Sequence, residues 1–294
     1  MKTKTFFLAF LLGATLATYA QGTEKRVRVY KGNTIAYEEN YADVDSIVFV
    51  NAEKPVNLEG TLSGKFSLPV GNPVQFSQGN LQYQAATNTW KFAEHQYDVI
   101  GAAGNSYISR DYNGWIDLFG WGTGDNPTKA STDASVYTTF TDWGVNPISN
   151  GGNTPNQWRT LTQSELNYIL YARPNADKLW GIGTVNNVPG LILLPDDWIL
   201  PDGLYFYGGK VYTYSINEYT TTEWAKMEAA GAVLLPVSGY RSGVSVSAGG
   251  GYGYYWTAAP ASYSLQFHVY NNTTYIAIND NYKSYAGMAV RLVH

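Results

Sequence analysis

Two complete helix-start signals constrain the fold most, because the other patterns in the chain are those of β-strands. Thr162 precedes Glu165 by three positions, and Thr220 precedes Glu223 by the same spacing. In such a capping box each side chain bonds the other residue's backbone N–H. Apolar residues that flank each box form hydrophobic staples: Leu161 with Leu166, and Tyr219 with Trp224. We therefore predict two helices, one ending at Arg173-Pro174 and the other at Gly231.

Most of the remaining chain reads as strands and turns. Residues 81–83 and 90–92 alternate around the turn residues 85–88, which predicts a hairpin. The apolar runs 190–195 and 231–236 predict buried strands. Residues 265–292 alternate again, which predicts a terminal meander with one buried face. The expected fold class is α+β.

The first 59 residues differ from the rest in pattern. Two lysines precede an apolar run over 6–16, and small residues precede a cut after Ala20, so residues 1–20 are expected to be a secretory signal peptide. The run is too short to span a bilayer, and no transmembrane segment is expected. We predict a small β module over 21–50, a linker over 51–59 and one large domain over 60–294.

The composition excludes several classes of function. The chain has no cysteine, which removes disulfides, thiol nucleophiles and Cys-ligated metals. Its three histidines are scattered, so no metal or other cofactor is expected. The formal net charge is −4 at pH 7, which argues against a nucleic-acid partner.

Six short motifs carry a resemblance to a known family. They are FSQGNLQY at 76–83, WIDLFGWG at 115–122, WRTLT at 158–162, GYR at 239–241, YWT at 255–257 and GMAVRLV at 287–293. This set resembles the exported major paralogous domain proteins of gut bacteria. The resemblance implies a C-type lectin-like domain, in the branch shared with formylglycine-generating enzymes and with the variable proteins of diversity-generating retroelements. In that fold two helices pack on a small twisted antiparallel sheet, and the chain ends lie close together.

The enzymes of that branch use chemistry that this chain lacks. Formylglycine-generating enzymes work through a cysteine pair, and the related sulfoxide synthases through a histidine-ligated iron. We therefore expect no enzyme, although a glycan hydrolase with a carboxylate pair stays open as an alternative. Asp196-Asp197 is the most suggestive acidic pair, and a turn after a buried strand is its simpler interpretation. Asp125-Asn126 offers oxygen ligands without a lectin calcium motif, so no metal site is expected.

The tyrosine content points to a binding surface near the C-terminus. Residues 252–285 contain eight Tyr, four Asn and only two charged side chains. Paratopes favour such residues because tyrosine gives a large contact area at a small entropic cost. The alternative is that the tyrosines simply cover a thin β core, and the match to the family motif favours core packing for Trp256. The expected ligand contacts are Tyr254, Tyr263, Tyr270, Asn279, Asn281 and Tyr282.

Together these observations predict a non-enzymatic, adhesin-like ligand-binding protein that is secreted or held at the cell surface. Its expected partner is a protein or glycan. Residues 252–285 are similar, in composition and in position before the last strand, to the segment that retroelements diversify in the variable proteins of this fold. An assembly subunit of a surface appendage and a glycan hydrolase are the two alternatives.

Overall fold

A computed structural model describes residues 26–31, 34–44, 58–209, 217–247, 251–270, 273–279 and 283–294. Its contacts divide the chain into two units, Met1–Val56 and Asn57–His294. The expected signal peptide, the β-rich run 45–49 and residues 51–57 of the expected linker lie outside the described residues. Leu58 packs against the core of the larger unit, although the sequence pattern assigned it to the linker.

The smaller unit contains an antiparallel strand pair. Strand β1 (Arg26–Lys31) pairs with β2 (Thr34–Asn40), and a single 3₁₀ turn (Tyr41–Asp43) follows. Glu38 joins the strands, because its carboxylate lies 2.8 Å from Arg26 Nη1 and 3.0 Å from Arg28 Nε. The two arginine side chains are exposed and that of Glu38 is partly exposed, and ion pairs at such accessible positions contribute little to stability.

The described part of the larger unit combines many short strands with three short α-helices, so the α+β class is confirmed. The helices are α1 (Gly101–Asn105), α2 (Gln163–Asn167) and α3 (Thr221–Ala229). Single helical turns of other types occur at Ala134–Val136, Trp143–Val145, Tyr168–Ala172 and Ala176–Lys178. The strands are β3 (Leu81–Gln84), β4 (Thr89–Phe92), β5 (Trp115–Ile116), β6 (Arg159–Thr160), β7 (Trp180–Val185), β8 (Val188–Leu193), β9 (Glu218–Tyr219), β10 (Val233–Pro236), β11 (Tyr240–Ser242), β12 (Ser245–Ser247), β13 (Tyr252–Trp256), β14 (Ser264–Tyr270), β15 (Thr273–Asn279) and β16 (Leu292–Val293).

Both predicted helix starts are confirmed. In each box the threonine hydroxyl accepts a bond from the glutamate backbone N–H, and the glutamate carboxylate accepts one from the threonine backbone N–H. Helix α2 passes directly into a π-helical turn (Tyr168–Ala172) and ends at Arg173, as predicted. Helix α3 ends before Gly231, whose φ of +99° belongs to the left-handed region that glycine adopts without a steric penalty.

The two apolar runs become neighbouring strands of one sheet. Strands β8 and β10 pair antiparallel in a four-stranded sheet of order β10-β8-β7-β9, and Leu193 lies opposite Val233. The β7–β9 pair is parallel, so this sheet is mixed rather than wholly antiparallel. The hairpin predicted at 81–92 is also confirmed as β3–β4, and β5 adds a third strand to it.

The end of the chain is buried more deeply than the sequence pattern indicated. Residues 265–270 and 273–279 pair as the predicted meander, but residues 286–293 leave it and run through the core. This segment bridges to four others, at Phe119–Met288, Arg241–Gly287, Tyr255–Ala289 and Phe76–Val293. The resulting pairing with residues near 76 brings both ends of the larger unit together.

No helix within the described residues has the length and apolar character to cross a membrane. The longest of them, α3, has nine residues. A membrane-spanning helix needs about 20.

Candidate functional site

The sheet β13-β14-β15 has two chemically different faces. Tyr252 lies opposite His268, and Tyr254 lies opposite Gln266, so these four positions share one face, which we call the outer face. The opposite face carries Tyr255, Leu265, Phe267 and Val269, all of which are buried in the main core. The sheet is therefore anchored through its inner face. On the outer set of positions Tyr252, Gln266 and His268 are accessible, whereas Tyr254, Trp256 and Ser264 are buried.

An aromatic pair occupies the outer face. The Tyr252 ring stacks on the His268 ring with centroids 4.1 Å apart and planes 20° apart. Tyr252 is 39% exposed, and His268 is partly exposed. Beside them Gln266, also partly exposed, donates to the Ser264 hydroxyl over 3.3 Å. Because the rings hold each other in place, they lose little freedom when a ligand covers them.

Tyr254 does not have the exposure expected of a ligand contact. Only 8% of it is exposed, because it packs in a core cluster against Tyr240 and beside Tyr252. Its position is on the outer face by register, but β11 contributes Tyr240 to cover it. Tyr254 therefore supports the exposed Tyr252 ring, whose centroid is 6.0 Å from its own, instead of contacting a ligand.

The other expected contacts fall in three places. Tyr263 is partly exposed and lies in the connection before β14, where its carbonyl accepts from Thr257. The backbones of Tyr270 and Asn279 belong to β14 and β15, with Tyr270 opposite Thr273 and Asn279 opposite Ser264. Asn281 and Tyr282 lie outside the described residues. The register places Tyr270 and Asn279 in the same alternating set of positions as Tyr252 and His268.

The two aromatic residues after Tyr254 are core residues, as expected for Trp256. The Tyr255 hydroxyl donates to the Pro236 carbonyl over 2.7 Å and accepts from Asn80 Nδ2 over 3.0 Å. Burial raises the pKa of Tyr255 well above its usual range, so it remains neutral. Trp256 Nε1 donates to the Phe119 carbonyl over 2.6 Å. Both side chains fix β13 to neighbouring segments.

In the acidic pair Asp196-Asp197, the first carboxylate is held by structural hydrogen bonds. Asp196 accepts from Arg173 Nη1 over 2.9 Å and from the backbone N–H of Ser67 over 2.7 Å. The Arg173 side chain is fully buried, so this contact neutralises a buried guanidinium. Asp197 is exposed and follows Asp196 at the end of β8. This geometry agrees with the simpler interpretation of the pair as a turn after a buried strand.

The described residues hold no group of three or more His, Asp or Glu side chains arranged to bind a metal ion. Asp125 and Asn126, the other oxygen donors considered, are exposed and line a small cavity formed by residues 121–141.

The sequence patterns missed Tyr252 and His268 as members of the candidate site. Alternation alone placed each on one side of its own strand, but the pairing of Tyr252 with His268 depends on the register between β13 and β14. A single histidine such as His268 also does not indicate a binding site by its residue type alone. The period-two pattern identified the sheet, and only the register identified the pair.

Comparison with protein-family models, with curated proteins and with solved structures finds no match to this chain.

Proposed function

We propose that this is a non-enzymatic ligand-binding protein, exported or held at the cell surface, that contacts a protein or glycan through the outer face of the sheet β13-β14-β15. The observation that carries the proposal is the Tyr252–His268 stack, an exposed aromatic pair on a sheet whose other face is core. Exposed aromatic rings on a rigid support are typical of binding hot spots.

The support beneath the pair is rigid. Phe267, the neighbour of His268 in β14, pairs with Gly253, the neighbour of Tyr252 in β13. Phe267 is fully buried, and its ring lies directly across that glycine. Tyr255 on the same inner face is hydrogen-bonded at both its donor and acceptor sides. A ligand therefore meets side chains whose backbone is already fixed, which lowers the entropic cost of binding.

We also propose that the scaffold is C-type lectin-like. Three features support this: two capped helices beside short sheets, a terminal segment buried in the core, and proximity of the two ends of the larger unit. The ends meet where Gln75 and His294 exchange both backbone hydrogen bonds over 3.1 Å. Thr61 Oγ1 lies 3.1 Å from His294 Nε2 at the same place.

A binding experiment with two matched variants tests the outer face. The full chain is screened on a glycan array and on immobilised mucin, fibronectin and collagen. The double variant Tyr252→Ala/His268→Ala should lower the affinity for a captured ligand at least tenfold, with the melting temperature nearly unchanged. Tyr107→Ala is the control, because Tyr107 is also exposed and stacked on another tyrosine but is not a residue of this sheet. Equal affinity of both variants for the ligand would refute the site, and capture of nothing on the whole panel would count against the function.

A further inference from the structure

A small polar cavity lies in the segment between β5 and β6. Its volume is about 130 Å³, and it is lined by Trp121, Gly122, Thr123, Asp125, Asn126, Lys129, Val136, Thr139 and Thr141. None of these residues has a role in the function proposed above.

Backbone hydrogen bonds hold the walls of the cavity in place. The Thr141 N–H donates to the Gly122 carbonyl, and the Gly124 N–H donates to the Thr141 carbonyl, each over 3.0 Å. Asn146 Nδ2 donates to the Gly124 carbonyl over 2.8 Å and ties the loop to the next turn. At the base, the buried Tyr137 hydroxyl donates to the Ser131 carbonyl over 3.0 Å. The cavity is thus part of a fixed loop rather than a gap between moving segments.

The lining carries one charge of each sign. Lys129 Nζ donates to the Val136 carbonyl and lies 4.5 Å from the centre of the Tyr137 ring. Asp125 is exposed, and in the described part of the chain its carboxylate makes no hydrogen bond or ion pair with Lys129 or any other group. Lys129 thus uses one of its three donors, whereas its other donors and the Asp125 carboxylate are open to a molecule in the cavity.

Neutral polar groups complete the lining. The side chains of Asn126, Thr139 and Thr141 have no hydrogen-bond partner among the described residues, whereas Thr123 donates to the Gly120 carbonyl over 2.8 Å. Trp121 Nε1 is buried and lacks an acceptor within that same part of the chain. Because Trp121 Nε1 is inaccessible even to water, the neutral donors and acceptors that the lining offers to a ligand are those of Asn126, Thr139 and Thr141.

This combination suits a neutral polyhydroxyl ligand better than a metal cation. Calcium takes six to eight oxygen ligands, usually with several carboxylates, whereas this lining has one carboxylate and an ammonium group that repels a cation. A hydroxyl group both donates and accepts, so neighbouring hydroxyls of a sugar satisfy Asp125 and Lys129 at once. At about 130 Å³ the cavity is smaller than the pockets of about 300–1,000 Å³ that enclose a whole small-molecule ligand, so it admits one edge of a sugar ring and leaves the rest of the molecule outside.

We propose that the cavity lined by Asp125, Lys129 and Thr141 is a second binding site, which takes the hydroxyl edge of a single sugar unit without a metal ion. The cavity and the outer face share no residue, so each can be changed by substitution without altering the other's lining.

Ligand-observed NMR on the full chain tests the cavity. D-galactose, D-mannose and N-acetyl-D-glucosamine are each added at millimolar concentration with a chelator present, and glycine and Ca²⁺ are added in separate samples. At least one sugar should show saturation transfer. Asp125→Asn and Thr141→Val should each weaken that binding at least tenfold, because the first replaces a charged acceptor oxygen by an NH₂ donor and the second removes a hydroxyl, while both keep the side-chain shape.

Two controls make the result specific. Asp133→Asn makes the same charge change in the same loop, but Asp133 caps the turn at Ala134–Val136 and does not line the cavity, so binding should be unchanged. The double variant Tyr252→Ala/His268→Ala should also keep the sugar signal, which separates this site from the outer face. The proposal is overturned if no sugar binds, if binding survives in Asp125→Asn, or if only glycine or Ca²⁺ binds.

Discussion

The capping box of α2 contains a glutamate with more partners than its counterpart in α3, and replacing it should cost more stability. Glu165 accepts from the Thr162 backbone N–H over 2.8 Å and from both terminal nitrogens of Arg159 over 2.7 and 2.8 Å. Glu223 accepts from Thr220 in the same way but, in the described residues, has no arginine partner. We predict a larger loss of stability for Glu165→Ala than for Glu223→Ala.

The magnitude follows from the contacts that Glu165→Ala removes. The lost half of the capping box costs about 1 kcal/mol, by analogy with other helix caps. The Arg159 side chain is 41% exposed, so solvent screens its ion pair and the pair adds only about 0.5–1 kcal/mol. The expected total of roughly 2 kcal/mol lowers the melting temperature by about 4–8 °C in a unit of this size.

The loss should also depend on pH. Burial opposes the ionisation of Glu165, but hydrogen bonds from Arg159 and Thr162 outweigh it and lower the pKa of this carboxyl below its usual value. A group with a lowered folded pKa stabilises the fold above its unfolded pKa, and this contribution disappears as the pH falls through the folded pKa. The difference between the wild type and Glu165→Ala should therefore be full at pH 7 and smaller at pH 3.

Urea unfolding of the wild type and both variants at pH 7 and pH 3, followed by tryptophan fluorescence, gives the three free energies of unfolding at each pH. Equal losses for Glu165→Ala and Glu223→Ala at pH 7 would show that the Arg159 contact contributes nothing. A Glu165→Ala loss that is the same at both pH values would refute the assignment of the stabilisation to the ionised carboxylate.

Two further substitutions probe buried contacts. Gly253→Ala should lower the free energy of unfolding by about 1–3 kcal/mol, the usual range for overpacking, because the added Cβ would lie 2.0 Å from Phe267 Cζ. An unchanged melting temperature would contradict this packing. Arg173→Leu should lower the free energy of unfolding by about 2–3 kcal/mol, the cost expected when charged hydrogen bonds to buried acceptors are lost. The Arg173 guanidinium donates to the Leu194 carbonyl over 2.8 Å and to Asp196 over 2.9 Å. A urea midpoint equal to that of the wild type would show that these acceptors find other donors.

The features that the sequence predicted correctly depend on neighbouring residues. A capping box closes within four residues, so Thr162 with Glu165 and Thr220 with Glu223 could be recognised without knowledge of the fold. The same holds for the hairpin β3–β4, whose turn and alternating arms are contiguous. Local hydrogen bonds and a period of two residues suffice for such elements.

The features that the sequence did not predict depend on distant segments. Alternation places Tyr254 on the outer face, but a ring from another hairpin, Tyr240, covers it there. Alternation predicts that the segment ending at residue 292 is the last part of the meander, yet four separate segments bridge to residues 286–293. The parallel pairing of β7 with β9 also joins residues on either side of a long connection. Each of these outcomes is decided by which segments meet in three dimensions, and a one-dimensional pattern does not contain that information.

The abundance of tyrosine has a structural cause as well as the functional one proposed. In this cysteine-free chain, buried tyrosine hydroxyls tie irregular segments together. Tyr83 donates to Asn88 Oδ1, Tyr137 to the Ser131 carbonyl and Tyr255 to the Pro236 carbonyl. A buried ring with a satisfied hydroxyl both fills the core and fixes a loop, which long irregular connections require. Tyrosine content alone is therefore no evidence of binding. Tyr252 differs from these buried tyrosines, because its ring is exposed on a sheet whose inner face is fixed in the core.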